Sequence, residues 1–350
     1  MIPVSVITGF LGSGKTTLLA RLMRDPAMGR TAVIINEFGA IALDHDLIET
    51  SDESFVQLSN GCLCCNVRND LTLTLGDLAA RRAQGTLPPF ERVVIETSGL
   101  ADPAPILHAL MTDRDLNGIY ALDGVITTVD ALLGLATLDQ YEESRRQAAV
   151  ADRIIITKSD LDGAQADAII RRLAMLNPGA QLVDSARDAV TSSLLFDCGL
   201  YDLGRKHVDV SAWFAEESSA ADAHEHHRHN GDITSFCLVR ETPLRAVTLA
   251  LLLSALAENC GADLLRMKGI VNVVEDPQRP AVIHGVQHVY HAPVWLPRWP
   301  SADHRTRMVF IGRNIPVPWI RNLIELLESE VAVESARPAL VSHNQSRIVS

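Results

Sequence analysis

From Met1 to about Asp209, short apolar runs alternate with amphipathic stretches, a pattern that predicts strand–helix repeats building a mostly parallel sheet covered on both faces. The runs Val4 to Thr8, Ala32 to Ile35, Val93 to Glu96, Val125 to Val129, Arg153 to Thr157 and Gln181 to Val183 read as strands. Lys15 to Met23, Asp70 to Arg82, Pro103 to Met111 and Ala164 to Leu176 read as helices. Asp102 followed by Pro103 reads as an N-cap with proline at the first helical position. Right-handed crossovers would then gather the ligand-bearing loops at the carboxyl ends of the strands.

The periodicity stops at 216–231, a polar stretch that includes His224, His226, His227 and His229 and reads as a linker. Beyond it, Ile233 to Arg240, Asp263 to Val274, Ala281 to Tyr290 and Arg307 to Ile311 predict strands, and Leu244 to Glu258 and Trp319 to Glu330 predict helices. The expected organisation is therefore an α/β domain over 1–215, the linker, a smaller α+β C-terminal domain over 232–332, and a tail over 333–350.

Composition narrows the partners. With 31 Lys plus Arg against 43 Asp plus Glu, the formal net charge of −12 disfavours broad attraction to nucleic acid or to an anionic membrane. The N-terminal run Met1 to Ile7 lacks a basic segment and a cleavage site and is too short to span a bilayer, so it reads as a buried first strand. Six cysteines are few for 350 residues, and three of them crowd into Cys62, Cys64 and Cys65, a spacing too tight for a disulfide framework. A reducing, cytoplasmic setting with thiols free to bind metal is expected. Self-association into a homo-oligomer is left open by these features.

Gly9-Phe10-Leu11-Gly12-Ser13-Gly14-Lys15-Thr16 matches the P-loop pattern, between a predicted strand and a predicted helix as that pattern requires. Glycines let successive amides converge on phosphate oxygens; the start of the helix adds positive potential, Lys15 adds charge, and Thr16 offers a hydroxyl ligand to Mg²⁺. Gly9, Gly12, Ser13, Gly14, Lys15, Thr16 and Thr17 are thus candidate nucleotide contacts, and the first domain is expected to be a P-loop NTPase domain. A P-loop also needs an acid at the end of a neighbouring strand to hold magnesium or its water, and Glu96 stands there; the amide of Gly99 could meet a γ-phosphate. The bland alternatives are a glycine-rich turn and an acid that merely ends a strand.

Thr157-Lys158-Ser159-Asp160 resembles the Asn-Lys-x-Asp element of GTPases, in which the carboxylate accepts from guanine N1 and N2 while the lysine stem packs on the ring. Asp160 is the discriminating group, because adenine offers it no matching pair of donors. Thr157 replaces the usual asparagine, so either a contact toward guanine N7 or a loop-bracing amide is expected to be lost. Ser185-Ala186-Arg187 resembles the short loop whose amide meets guanine O6.

Cys62, Cys64 and Cys65 lie just before a predicted helix, where amides at the helix start and a bound metal would both favour thiolate. Zinc prefers four ligands, so three thiols leave a vacancy for a carboxylate, histidine, water or a partner's side chain. Cobalt and nickel remain alternatives, since ligand type alone does not select among them. Small cysteines packing the sheet are the competing reading.

At these motifs the chain resembles the CobW-type metallochaperone GTPases, related to the urease and hydrogenase nickel-insertion GTPases. The resemblance runs over most of the chain and rests on Gly9 to Thr16, Asn36-Glu37-Phe38-Gly39, Cys62-Leu63-Cys64-Cys65, Glu96-Thr97-Ser98-Gly99, Thr157 to Asp160, Lys268-Gly269-Ile270 and His284 to His288. It implies slow GTP hydrolysis with Mg²⁺, coupled to delivery of a divalent metal, usually zinc, to a client metalloprotein, with Asn36 to Gly39 as a switch segment carrying Glu37. Two departures stand out: Thr157, and Ala40 where relatives commonly carry glutamate, which puts an accessory metal ligand in doubt; Glu37, Asp44, His45 and Asp46 lie near in sequence. The linker histidines either collect zinc or nickel as a low-affinity reservoir or form a solvated tether. Two other functions compete: a nucleotide-gated zinc sensor that delivers nothing, and a P-loop kinase, for which the second domain offers no evident acceptor site or lid arginines.

Overall fold

The computed structural model of the chain describes residues 1–35, 55–57, 67–196 and 233–336. The expected switch segment with Glu37, the cysteines Cys62, Cys64 and Cys65, and the linker histidines His224, His226, His227 and His229 lie outside the described residues.

The N-terminal half runs β1 (Ile2–Gly9), α1 (Lys15–Leu22), β2 (Thr31–Ile35), β3 (Phe55–Gln57), α2 (Val67–Ala83), β4 (Arg92–Glu96), α3 (Ala104–Thr112), β5 (Tyr120–Asp130), α4 (Gly134–Gln140), α5 (Glu142–Ala149), β6 (Arg153–Thr157), α6 (Ala166–Leu176), β7 (Gln181–Asp184) and α7 (Ser192–Leu195). Its seven strands lie in the order β3-β2-β4-β1-β5-β6-β7, every neighbouring pair parallel. Strands buried on both faces need near-continuous apolar runs, and Val4, Val6, Ile7, Val93, Val94, Ile95 and Ile154 to Ile156 are fully enclosed. One face packs on α1 through Ile7, Leu18, Leu19, Val94 and Ile126. The other carries Val4, Val6, Ile95, Val125, Leu107 and Ile169 in a cluster that continues into the second sheet.

The C-terminal half runs β8 (Ile233–Arg240), α8 (Ala246–Cys260), β9 (Leu264–Val271), β10 (Ala281–Val286), β11 (Val289–Tyr290), β12 (Val294–Trp295), β13 (Thr306–Arg313) and α9 (Val317–Ala336). Its antiparallel sheet is ordered β11-β10-β9-β13-β8, with β12 pairing β10. The helices α8 and α9 cover one face through Leu252, Leu256, Ile320 and Ile324 on Met267, Val271 and Phe310. Leu265, Ile270, Val282, Val286, Val309 and Ile311 on the other side belong to the cluster shared with the first domain. Among the described residues no helix is long and apolar enough to cross a membrane.

The two sheets are joined by charge as well. Along β9 the period of two puts Arg266, Lys268 and Ile270 on the face opposite Met267 and Val271. Arg266 and Lys268 each reach Asp152 Oδ1 at 2.6 Å, with all three side chains at most 4% exposed. Asp152 Oδ2 accepts from the Val125 amide at 2.8 Å. Burial alone would push the Asp152 carboxyl up, but Arg266, Lys268 and these hydrogen bonds hold it well below its usual range. The same burial, with Arg266 and Lys268 close by, drives His284 well below the ordinary histidine value, and burial with Arg266 takes His291 down to about 4.

The structure differs from the sequence expectation in identifiable places. Ala281 to Tyr290, expected as one strand, is a hairpin: Val286 pairs Val289 across Gln287 and His288, with Gln287 at φ 53°. His284 and His288 therefore do not share the face of a single strand; His288 instead stacks edge-on against His108 of α3. The strand β3 and the helices α4 and α5 were not expected.

Candidate nucleotide site

The carboxyl ends of β4, β1, β5 and β6 converge on one rim. In the sheet register Ile7 pairs Glu96 and Asp130 pairs Thr157, so the turn after β1 is flanked by an acid on either side. That turn requires glycine at Gly9, where φ is 142° and a Cβ would collide with the Thr128 hydroxyl and Ser13 Oγ. Gly12 and Gly14 also have positive φ, of 71° and 93°.

Lys15, only 8% exposed, donates from Nζ to the carbonyls of Gly9 at 2.9 Å and Phe10 at 3.2 Å, arching over the loop it belongs to. The Thr16 hydroxyl donates to Glu96 Oε1 at 2.7 Å. A hydroxyl and a buried carboxylate touching at the start of a helix form a hard-oxygen pair, the donor chemistry that suits Mg²⁺. Thr97 follows, its amide on Ile7 O and its hydroxyl on the Thr8 hydroxyl, which locks the outgoing chain to β1. Gly99 then lies against the P-loop itself: a Cβ there would stand 2.7 to 2.9 Å from Leu11 Cδ2, N and Cα.

On the other flank Thr157 donates from Oγ1 to Ser13 O at 2.7 Å. The loop bracing expected to disappear with the missing asparagine amide is supplied by the threonine hydroxyl. Lys158, held at φ 56°, spans back to the P-loop, with Nζ on Gly12 O at 2.8 Å and on Asp130 Oδ2 at 2.6 Å. Asp160 lies exposed at the rim. Ser159 donates to Asp184 Oδ1, which also takes the Ala186 amide at 3.0 Å, while the amides of Ser185 and Arg187 go to Ile156 O and Asp184 O. A ligand carbonyl meeting Ala186 would share that amide with Asp184.

Several contributors escaped the sequence reading. Asp130 stands immediately after the predicted strand Val125 to Val129 and closes the observed one, much as Glu96 closes its own, and that position is the signal that could have found it. Tyr141 stacks on the P-loop Phe10 with ring centroids 4.6 Å apart, and Gln147 donates to the carbonyls of Gly99 at 3.1 Å and Ala101 at 3.0 Å. Neither lies in a recognisable motif.

With this geometry in view, the comparisons with known proteins converge. The family profile described as CobW/HypB/UreG, nucleotide-binding domain, matches residues 3–184, and that described as cobalamin synthesis protein cobW C-terminal domain matches 233–327. The chain belongs to the CobW family. Among curated relatives, a protein of Escherichia coli named zinc chaperone YjiA is 33% identical over 320 residues, spanning 91% of this chain and 96% of its own. Another, named zinc chaperone CobW, from Pseudomonas aeruginosa, is 30% identical over 356 residues, spanning 92% of this chain and 90% of its own. The crystal structure of Zn(II)-bound YjiA GTPase from E. coli superposes with a TM-score of 0.68 at 26% identity, covering 93% of this chain and 98% of that one. The P-loop domain with its parallel sheet and the separate antiparallel C-terminal sheet are thus the architecture of this CobW-family chain.

Proposed function

We propose that this protein is a GTP-hydrolysing metallochaperone that holds a divalent metal, zinc first, at Cys62, Cys64 and Cys65 and passes it to a client metalloprotein. The observation that carries the reading is one row of the sheet: Gln57, Ile35, Glu96 and Ile7 are successive register partners. The segment bearing the three cysteines leaves the sheet from Gln57, two strand spacings or about 10 Å from Glu96, and returns at α2. Chain connectivity thus ties the thiol element to the strand ends that flank the P-loop.

In this reading the P-loop amides and Lys15 bind the β- and γ-phosphates, and Asp160 with the Lys158 stem selects guanine. Thr16 and Glu96 are the residues that would hold Mg²⁺, whose charge offsets the negative charge on the transferring phosphoryl group. Thr157 keeps Ser13 fixed, Gly99 offers its amide close to the P-loop, and the Asn36 to Gly39 segment with Glu37 responds to the γ-phosphate. Hydrolysis relaxes these segments and loosens the thiols around the cargo. The linker histidines form an auxiliary, low-affinity surface reservoir in this reading.

The test is reciprocal binding. Zinc affinity measured in the GTP-analogue and GDP states should differ by about fivefold or more, since coupling free energies act equally in both directions. Equal affinities would end the coupling. Replacing Cys62, Cys64 and Cys65 by serine should abolish tight zinc binding and leave nucleotide affinity within about threefold. If zinc transfer to apo-enzymes never depends on GTP, the sensor reading takes over.

Gly99→Ala should weaken binding of the GTP analogue by roughly tenfold or more, measured by fluorescence titration. Overpacking costs about 1–3 kcal/mol, and the new methyl here meets not only Leu11 Cδ2, which can swing away, but also the Leu11 backbone N and Cα, which cannot.

A further inference from the structure

Four contacts meet on the short helix α5, and none of them belongs to the nucleotide motifs. At its start Tyr141 stacks on Phe10 of the P-loop. At its far end Gln147, fully enclosed, clamps the carbonyls of Gly99 and Ala101. Between them Arg146 binds Asp102 Oδ2 at 2.9 Å, three residues beyond Gly99, and binds Glu142 Oε1 through Nε at 2.8 Å and Nη2 at 2.7 Å. The same Glu142 Oε1 accepts from Nη1 of Arg313, the last residue of β13 in the C-terminal domain, at 2.7 Å.

We infer that α5 transmits the state of the Gly99 loop to the C-terminal domain through the chain Asp102–Arg146–Glu142–Arg313, with Gln147 as the positioning residue that makes the loop and the helix move together. This rests on the reading of the site as a GTP switch.

Two cations compete for one atom, Glu142 Oε1. A single carboxylate oxygen is shared by two guanidinium groups, so when α5 moves with the Gly99 loop the balance of Glu142 Oε1 between Arg146 and Arg313 changes. The Arg146 hydrogen bond holds the Glu142 carboxyl below its ordinary range, so the charge is present at neutral pH. The chain is partly exposed, with side-chain exposures from 25% to 41%, so it can rearrange without opening a core. The Gln147 clamp, by contrast, is fully enclosed. Its two hydrogen bonds are made to carbonyls, and the helix is tied to β5 by the Thr127 hydroxyl on Gln147 O at 2.8 Å. On the receiving side Arg313 lines a cavity of about 110 Å³ with Asn259, Cys260, Asp263, Asn314 and Pro316, in a segment where Asn314 has φ 48°. Through Arg313 the nucleotide would bias that segment, and by linkage any change that shifts the segment would alter nucleotide affinity by the same factor.

The experiment is amide hydrogen exchange on the full chain with Mg²⁺ and either GDP or guanosine 5′-(β,γ-imido)triphosphate. Protection across 312–316 should differ by about fivefold between the two nucleotides in the wild type. In Arg313→Ala and in Glu142→Gln the difference should vanish, while analogue affinity and unfolding midpoint stay near wild type; Arg313→Lys, which keeps one charged donor, should retain it. A wild type that binds both nucleotides and exchanges identically would overturn the relay alone, as would a difference that survives in Arg313→Ala. A protein that binds neither nucleotide would overturn the GTPase reading and the relay with it.

Discussion

Lys15→Ala is expected to lower GTP turnover by about 10²- to 10³-fold, the loss typical of removing one preorganised donor from a developing oxyanion. The Lys15 ammonium is almost wholly enclosed and is held by the Gly9 and Phe10 carbonyls, so its position is set before any phosphate arrives. Lys158 also reaches the loop, at Gly12 O, but from outside it. Lys15→Arg should not restore the rate, because a planar guanidinium cannot occupy the same narrow arch as a point-like ammonium. Single-turnover hydrolysis measures the loss. Unchanged zinc stoichiometry in the same preparation would separate lost chemistry from lost folding, and turnover within threefold of wild type would remove Lys15 from the mechanism.

Asp152→Asn should cost about 3–5 kcal/mol of stability, because it leaves Arg266 and Lys268 as buried cations without their shared counter-charge. Asp152 precedes β6, whose other end carries Thr157, so about 16 Å of strand separates it from the nucleotide rim. Turnover below the melting temperature should therefore change little while the unfolding midpoint falls steeply. The pH dependence has a definite sign. His284 and His291 have folded values below the unfolded value of 6.5, so the unfolded chain takes up protons that the folded chain refuses. Their contribution is complete above pH 6.5 and declines as the pH falls, by about 1.4 kcal/mol per unit for each group while it lasts. Asp152 adds a second loss that begins only as the pH drops below about 4, near its unfolded value of 3.8. Thermal melts from pH 8 to pH 3 should show the first decline in both proteins and the second in the wild type alone.

Much of the first domain could be read from the chain because parallel strands buried on both faces must be apolar throughout, as Ile154-Ile155-Ile156 is, and because the P-loop has an obligatory strand–loop–helix context. Family membership was legible from motifs spread over both halves, the cysteine trio above all, and the two-part architecture from the polar stretch that interrupts the periodicity. The helix α5 was not, since it buries Ser144, Gln147, Ala148 and Ala149, small or polar residues that leave no apolar stripe at helical spacing. The strand β3 is only three residues long, below what alternation can reveal. The β10–β11 hairpin was hidden by a turn that puts Gln287, not glycine or asparagine, at positive φ. Arg266 and Lys268 were silent because the acid that pays for their burial lies 114 residues upstream of Arg266, and no local pattern announces such a partner. At the site, the place of Glu96 after an apolar run singled it out, and its carboxylate meets the Thr16 hydroxyl; the Thr157 hydroxyl was underestimated, because sequence shows only that an amide is missing, not that the hydroxyl braces Ser13 O.

The apolar cluster that runs without a break from Val4 and Leu107 into Leu265, Ile270 and Val309 bears on any attempt to study the halves apart. A piece ending near residue 232 would expose a greasy seam along with a carboxylate built for two absent cations, and the remaining piece would display those cations amid valine and leucine. Both fragments should precipitate or self-associate. Dissecting this molecule calls for polar substitutions along the seam before any cut is made.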